Sequence, residues 1–184
     1  AAPGNETMNC PICHSHDSTG AYQLRTYRIV RCADCRLLYN RDFPEESQVT
    51  ETFSESYYHD VQRDAFARIA EPLADLSRPI YDAGLAYVEA RSRVGKLLDV
   101  GCAFGVFMEI AAHRGWQVKG VEVSAYASRY AREVRGLDVT TGSGAEFEAA
   151  AGSFDLVTLW DVLEHVRDAQ ATVQAAARWL KPGG

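Results

Sequence analysis

From residue 96 onward, short apolar runs alternate with longer stretches in which apolar residues recur every three or four positions. Short apolar runs are typical of strands buried within a sheet, whereas the longer spacing is typical of helices with one buried face. The pattern therefore predicts an α/β fold with about four parallel strands and helices on the faces of the sheet. The predicted strands are Lys96–Val100, Gln117–Val121, Leu137–Thr140 and Phe154–Leu159, and the predicted helices are Val106–Arg114, Ala125–Val134 and Asp168–Leu180.

The first half of the chain has a different pattern. Residues 60–93 are rich in Ala, Leu, Arg and Glu and predict one or two helices, interrupted near Pro79 because proline suits the start of a helix rather than its interior. Residues 43–58 are acidic and predict a linker with a short helix, and alternation over Tyr22–Arg31 predicts a short hairpin. These changes divide the chain into three parts, residues 8–42, a helical linker over 43–93, and residues 94–184.

Composition and charge limit the classes of function that this chain can have. The chain has 184 residues and a formal net charge of −6. This charge argues against an extended nucleic-acid surface, since nonspecific affinity for phosphates comes from clustered Lys and Arg. The sequence contains no apolar run of the roughly 18 residues that span a membrane and no signal-peptide pattern. We therefore expect a cytoplasmic protein that does not bind membranes.

Four of the five cysteines form two pairs, Cys10-x2-Cys13 and Cys32-x2-Cys35, with 18 residues between the pairs. A tight turn across two residues aims both sulfurs at one ion, and two such turns close a tetrahedral site. A segment this short has little core of its own, so a bound metal would supply folding energy. The spacing predicts a zinc ribbon over residues 8–42, and the alternatives are an iron site, two disulfides, free thiols, or His14 or His16 as a ligand in place of one cysteine.

Glycines and polar residues follow the predicted strands. In parallel sheets covered by helices, ligands bind at the carboxyl ends of the strands, near the point where the strand order reverses. Taken singly, each feature also has a structural explanation, namely a tight turn, an exposed acid or a capped helix start. The residues at these ends are, in chain order, Asp99, Gly101, Gly105, Glu122, Trp160 and Asp161.

The glycine turn departs from two familiar nucleotide loops. A dinucleotide loop has the pattern G-x-G-x-x-G, but counted from Gly101 the next two glycine positions hold Ala103 and Val106. A P-loop requires Gly-Lys-Ser/Thr after the turn, which this sequence lacks. A pyrophosphate needs several free backbone N–H groups at a helix start, so a looser turn suits a ligand that carries no phosphate there.

Together, the motifs LLDVGCAFG, GVEVS, GSFDLVTLWDVLEHV and LKPGG over residues 96–184 resemble the class I S-adenosylmethionine-dependent methyltransferases. The segment RCADCRLLY extends the resemblance to a bacterial subgroup with a zinc ribbon before the methyltransferase domain. The resemblance implies a Rossmann-like methyltransferase sheet. Because LKPGG precedes a further strand in that fold, we expect an incomplete sheet and a C-terminally truncated chain that is inactive or poor as a catalyst alone.

The resemblance also implies which residues bind S-adenosylmethionine. Gly101 and Gly105 would let the backbone approach the cofactor. Asp99 would approach its amino group, and Glu122 would accept hydrogen bonds from both ribose hydroxyls, as the acid after the second strand does in dinucleotide folds. Val123 would pack on the adenine. The full set of implied cofactor residues is Asp99, Gly101, Cys102, Ala103, Gly105, Glu122, Val123, Ser143, Ala145, Trp160 and Asp161.

Three residues after the last predicted strand are the catalytic candidates. His165 is a potential general base, since the pKa of an unperturbed histidine lies near neutrality. Asp161 precedes Glu164 by three residues and His165 by four, so on a helix the three side chains share a face. That arrangement also permits a divalent metal, and the remaining alternative is a structural or substrate-positioning role.

The expected function is methyl transfer to a small-molecule or saccharide acceptor, with S-adenosylmethionine and zinc as cofactors. Two alternatives stay open. The chain could be an RNA methyltransferase whose ribbon grips RNA, although the acidic remainder argues against this. It could also be a non-catalytic module whose ribbon binds a protein. The ribbon arginines that favour RNA are Arg25, Arg28, Arg31, Arg36 and Arg41.

Overall fold

The computed structural model describes residues 8–24, 27–43 and 66–184. The acidic linker predicted over 43–58 lies, apart from Phe43, outside the described residues. Side chains in the first part of the following helix, residues 66–75, are likewise outside the description.

The N-terminal unit is a small antiparallel sheet. Its strands are β1 (Ser18–Leu24), β2 (Tyr27–Cys32) and β3 (Leu38–Asn40), in the order β1-β2-β3. The predicted hairpin is confirmed, and its register shifts between Gly20 and Tyr22. The core of this unit consists of two apolar residues and two cysteines, which are Cys10, Val30, Cys32 and Tyr39. So small a core agrees with the expectation that a metal stabilises the unit.

Helix α1 (Phe66–Glu89) is continuous through Pro79, so the predicted interruption is wrong. Proline removes one backbone hydrogen bond and costs about 3 kcal/mol in a helix interior. Packing on the opposite side of the helix offsets part of this loss, because Leu85 is 1% exposed and burial of a leucine contributes about 2 kcal/mol. The guanidinium of Arg114 adds hydrogen bonds to Glu89 (3.0 Å) and Asp82 (3.2 Å) of α1.

The C-terminal unit is a four-stranded parallel sheet in the order β6-β5-β4-β7. This confirms the predicted α/β class. The strands are β4 (Lys96–Val100), β5 (Gln117–Glu122), β6 (Val139–Thr141) and β7 (Leu156–Thr158). The helices are α2 (Val106–His113), α3 (Ala125–Glu133) and α4 (Ala169–Trp179), and one 3-10 turn spans Leu163–His165. Phe154 lies before β7 and forms an isolated parallel bridge with Leu180.

The sheet has apolar layers on both faces. On one face Leu97 packs with Phe107 and Leu85, from α2 and α1. On the other, Leu98 packs with Trp179 of α4. Since β5 and β7 flank β4 on opposite sides, the strand order reverses at β4, which is where such sheets bind ligands. No helix in the described part of the chain is long and apolar enough to cross a membrane.

Candidate cofactor site and zinc site

The four predicted zinc ligands form one cluster. The sulfurs of Cys10, Cys13, Cys32 and Cys35 all lie within 4.8 Å of one another. The closest approaches, Cys10 to Cys35 and Cys13 to Cys32, are both 3.4 Å. Four thiolates bound to zinc at about 2.3 Å have sulfurs roughly 3.8 Å apart, so this donor set fits a tetrahedral ion with small adjustments.

The two cysteine turns share one backbone geometry. Cys10 N donates to Ser15 O (3.0 Å), and Cys32 N donates to Leu37 O (2.9 Å), so each turn closes across the same number of residues. The residue after each second cysteine is left-handed, His14 with φ 58° and Arg36 with φ 67°. This repetition turns both pairs of sulfurs toward one point.

The four thiols of the cluster titrate together, and only one is favoured as a thiolate. The pKa of Cys32 is lowered, whereas the pKa of Cys13 is raised. The pKa of Cys35 is raised to about 12, because the backbone N–H of Leu37 is outweighed by the Cys10 thiol and burial. The backbone N–H of Cys35, with smaller contributions from Cys13 and Asp34, lowers the pKa of the Cys32 thiol to about 6. A thiolate, rather than a thiol, is the form that binds a metal ion.

The glycine turn after β4 is built from left-handed residues. Gly101 has φ 72°, Ala103 φ 46° and Gly105 φ 80°. Gly101 N donates to Val121 O (2.8 Å), which ties the turn to β5. A Cβ on Gly101 would lie 2.5 Å from Val162 Cγ2, so only glycine allows this close approach. The turn therefore exposes backbone rather than side chains at the end of β4.

Phe104 is the residue that most distinguishes this turn from glycine-rich loops. It is buried, and its ring packs edge-on against Tyr126 (6.1 Å between centroids) and Tyr130 (5.2 Å) of α3. The large side chain thus anchors the turn on α3, a role that no glycine could serve.

Glu122 joins the glycine turn to the turn after β5. Its carboxylate accepts hydrogen bonds from Ala103 N (2.9 Å) and Ser124 N (2.8 Å). Ser124 in turn caps α3 by accepting a hydrogen bond from Ala127 N. Burial raises the pKa of Glu122 above its ordinary value, although the backbone donors oppose this.

Asp99 is a second buried carboxylate, at the end of β4. It is 2% exposed, and Thr158 Oγ1 of β7 donates a hydrogen bond to Oδ1 (2.7 Å). Burial, with a smaller contribution from Glu122, raises the pKa of Asp99 to about 7 against the opposing effect of Thr158. Within the described residues, neither Asp99 nor Glu122 forms an ion pair with a Lys, Arg or His. The two acids therefore lie buried at neighbouring strand ends without a described cation to neutralise them.

Cys102 takes part in the turn through its backbone alone. Its thiol is buried, and a Cβ on Gly120 of β5 would lie 2.6 Å from the sulfur. Burial also raises the pKa of this thiol, so it stays protonated. Val123, which follows β5, is half-buried and lies beside Glu122 in the chain.

The loop after β6 approaches the same end of the sheet. A Cβ on Gly144 would lie 2.7 Å from Val100 Cγ1. The two predicted residues flank this glycine, with Ser143 half-buried and Ala145 exposed. The hydroxyl of Ser143 donates to Glu146 (3.0 Å), which closes a small turn.

The three catalytic candidates do not lie on one helix, so their spacing does not place them on a shared face. Asp161 is a left-handed residue, φ 52°, in the turn before the 3-10 helix that contains Glu164 and His165. All three side chains are exposed. Within the described part of the chain, only the four cysteines group three or more potential metal ligands. A divalent metal at these three residues thus finds no support.

Trp160 is enclosed by aromatic side chains from two helices. Its ring lies 5.1 Å from that of Tyr81 in α1 and 5.4 Å from that of Phe107 in α2, centroid to centroid. The indole is therefore held where β7 ends, beside the glycine turn.

The sequence model of the methyltransferase domain family matches residues 58–184. The chain belongs to this methyltransferase family. A ubiquinone biosynthesis O-methyltransferase from Xanthomonas oryzae pv. oryzae is 33% identical over 142 residues, which cover 69% of this chain and 59% of that protein. This methyltransferase chain thus spans less than two thirds of that relative.

Solved structures agree with the family. A SAM-dependent methyltransferase from Thermotoga maritima, described as a possible histamine N-methyltransferase, is 26% identical with a TM-score of 0.52, over 69% of this chain and 58% of that one. The magnesium protoporphyrin IX methyltransferase of Synechocystis PCC 6803, solved with bound SAM, is 20% identical with a TM-score of 0.58, over 77% and 74% of the two chains. The second likeness shows the fold alone. The resemblance predicted from the motifs is confirmed.

Residues that the motifs did not reveal also line this end of the methyltransferase domain. Thr158 donates to Asp99, and Tyr81 packs against Trp160. Gly84 lies in the interior of α1, where glycine is unfavourable. That glycine is the one signal in the sequence that pointed to a close approach on α1.

Replacing Ala103 with glycine should leave the affinity for S-adenosylhomocysteine equal or higher. The left-handed backbone costs alanine on the order of 1 kcal/mol, which glycine avoids. The greater freedom of glycine in the unfolded chain opposes this gain by about 0.5–1 kcal/mol, so the melting temperature should change little. Calorimetric titration and thermal unfolding measure both quantities, and a large loss of affinity would contradict the expectation.

Proposed function

We propose that this chain binds S-adenosylmethionine and belongs to an enzyme that transfers a methyl group to a small-molecule or saccharide acceptor. One observation carries the proposal. Asp99 and Glu122 are buried carboxylates at the ends of neighbouring strands, beside a left-handed backbone turn, and no described cation pairs with them.

The residues present suit this cofactor. Its ammonium group would compensate the buried charge of Asp99, and its ribose hydroxyls would donate to the remaining acceptor sites of the Glu122 carboxylate. The backbone of the glycine turn, including Gly101 and Ala103, would lie against the cofactor, with Val123 beside the adenine. When bound, S-adenosylmethionine supplies a methyl group activated on a sulfonium, and the protein contributes alignment.

The acceptor side of the site is proposed to follow β7. Trp160 and Asp161 would face the methionine end and the acceptor, and the exposed His165 would remove a proton from an acceptor hydroxyl. Glu164 would orient the acceptor. The similarity to a protein named ubiquinone biosynthesis O-methyltransferase supports a small-molecule acceptor and methylation on oxygen.

The ribbon is proposed to hold one zinc ion through Cys10, Cys13, Cys32 and Cys35. Their clustering supports this proposal, since a four-thiol site is typical of structural zinc. We also propose a cytoplasmic location, where free thiols persist.

Calorimetric titration of the chain with S-adenosylhomocysteine tests the proposed function. Saturable one-to-one binding is expected. If the zinc-loaded chain does not bind this ligand, the proposal fails and the interaction module is favoured instead. If the chain instead retards RNA in a gel in a salt-dependent manner, and Arg31→Ala abolishes this binding, the RNA methyltransferase hypothesis replaces the proposed function.

The affinity for S-adenosylhomocysteine should rise with pH up to about 7. Asp99 has a pKa of about 7 without ligand, and a neighbouring ammonium group lowers it. Binding below pH 7 therefore releases a proton, so affinity rises by up to about tenfold per pH unit and then levels off. Calorimetry in two buffers with different ionisation enthalpies counts the protons.

The Asp99→Asn variant is the control for this pH dependence, because it should bind more weakly and its affinity should depend less steeply on pH over the same range. In the absence of ligand, the free energy of unfolding should depend on pH in the opposite direction from the ligand affinity. The contribution of Asp99 to the free energy of unfolding should fall as pH rises from 3.8 to about 7, since the folded chain keeps the Asp99 proton that the unfolded chain has lost. An unchanged pH profile in Asp99→Asn would contradict the assignment.

A further inference from the structure

We propose that the indole N–H of Trp160 donates a hydrogen bond to the carboxylate at the methionine end of the bound cofactor, and that Tyr81 and Gly84 of α1 hold the indole for this purpose. The inference rests on the proposed function. It assigns a ligand group to Trp160 and makes α1 a positioning element of the site.

The position of Trp160 relative to Asp99 is set by the sheet. Asp99 of β4 pairs with Thr158 of β7 in parallel register, and Trp160 follows two residues later. Neighbouring strands are about 4.8 Å apart, so the indole and the Asp99 carboxyl belong to the same end of the same strand pair. A zwitterion such as the methionine end of the cofactor needs both an acceptor for its ammonium and a donor for its carboxylate.

The donor is present and has no partner. Trp160 Nε1 is buried, and no acceptor for it exists among the described residues. Tryptophan can only donate at this atom, so a ligand oxygen there would restore a hydrogen bond lost on folding. The Asp99 carboxylate likewise lacks a partner of opposite charge, since no described cation neutralises it.

Tyr81 and Gly84 fix the indole from the side of α1. A Cβ on Gly84 would lie 3.1 Å from Trp160 Cη2 and 3.3 Å from Cζ2, which is tighter than ordinary contact. Tyr81 packs edge-on against both Trp160 and Phe107, at 5.1 Å and 5.3 Å between centroids. Burial, with contributions from Asp99 and Asp161, raises the pKa of Tyr81, so its hydroxyl stays neutral beside these acids. An otherwise unfavourable glycine in a helix interior is thus explained by the indole.

Two ligands separate the carboxylate contact from the rest of the cofactor. S-adenosylhomocysteine carries both the ammonium and the carboxylate, whereas S-adenosyl-3-thiopropylamine carries the ammonium alone. The wild-type chain should bind the first about 10-fold or more tightly than the second, as expected for a hydrogen bond to a charged group. Equal affinities in the wild type would overturn the inference without any variant.

Variants then locate the donor. Trp160→Phe should weaken S-adenosylhomocysteine about 10-fold or more and S-adenosyl-3-thiopropylamine little, because only the first ligand loses a contact. Asp99→Asn should weaken both ligands alike, since both carry the ammonium. If Trp160→Phe weakens the two ligands equally, the indole packs against the cofactor without donating, and the inference fails.

Gly84→Ala tests the role of α1. It should reduce the preference for S-adenosylhomocysteine over the amine, while circular dichroism shows an intact helix. Ala83→Val adds bulk at the neighbouring exposed position and should preserve the preference. A Gly84→Ala chain with wild-type preference overturns the positioning role. Failure to bind either ligand in the wild type instead refutes the proposed function.

Discussion

Replacing Glu122 with glutamine is expected to weaken the binding of S-adenosylhomocysteine by at least about 100-fold. The carboxylate would accept two hydrogen bonds from the ribose, and each bond to a charged acceptor contributes about 1.5–3 kcal/mol. Glutamine keeps one acceptor oxygen and presents an N–H₂ group in place of the other. Calorimetric titration at neutral pH measures the loss.

The same substitution should destabilise the chain without ligand. Glu122 accepts from Ala103 N and Ser124 N, at 2.9 Å and 2.8 Å, so glutamine leaves one buried backbone donor unpaired. We expect a loss of about 1–3 kcal/mol in the free energy of unfolding. Part of this loss is offset because the substitution removes the buried Glu122 carboxylate, whose pKa burial raises.

Glu133→Gln is the matched control, since Glu133 lies exposed on α3. It should retain wild-type affinity and stability. If folded Glu122→Gln binds S-adenosylhomocysteine with wild-type affinity, Glu122 does not contact the ribose. If it binds weakly but unfolds at the wild-type temperature, Glu122 contacts the ligand without stabilising the turn.

Replacing Cys32 with serine is expected to abolish zinc binding and unfold the ribbon. Cys32 is fully buried and belongs both to the sulfur cluster and to the small core with Val30 and Tyr39. A core of this size does not fold without additional stabilisation, and structural zinc sites contribute roughly 10–16 kcal/mol in peptides. Metal analysis should fall from one zinc to none, and amide exchange protection over β1–β3 should disappear.

Cys102→Ser supplies the control for the loss of a buried cysteine. Cys102 lies in the glycine turn, outside the sulfur cluster, so this variant should keep its zinc. One equivalent of zinc in Cys32→Ser would contradict the four-cysteine assignment. A coloured iron-containing chain would support the iron alternative instead.

Local patterns accounted for much of the fold. The apolar runs marked all four strands of the parallel sheet to within two residues at each end, and Phe154 forms a bridge instead of joining β7. The two-residue spacing of the cysteine pairs placed four sulfurs together, because each turn determines the direction of its own side chains. The glycine turn was also indicated by the sequence, since Gly101 and Gly105 are both left-handed.

The errors arose where packing between distant segments overrode a local preference. Pro79 does not end α1, because contacts of the opposite face with α2 stabilise the helix. Asp161 is left-handed, so it does not lie on a helix with Glu164 and His165, and a spacing of three and four residues does not bring the side chains together. Local propensity is worth only a few kcal/mol and yields to burial of this kind.

The sequence alone determined the features that depend on neighbours along the chain, which are the cysteine turns, the alternation of strands and helices, and the glycine turn after β4. Tertiary structure decided which distant residues meet. Gly84 touches Trp160, and Thr158 donates to Asp99, across separations of more than fifty residues. A spacing along the chain specifies a turn or a helix face, but a contact between elements depends on the sheet order and on how helices pack, which no short pattern encodes.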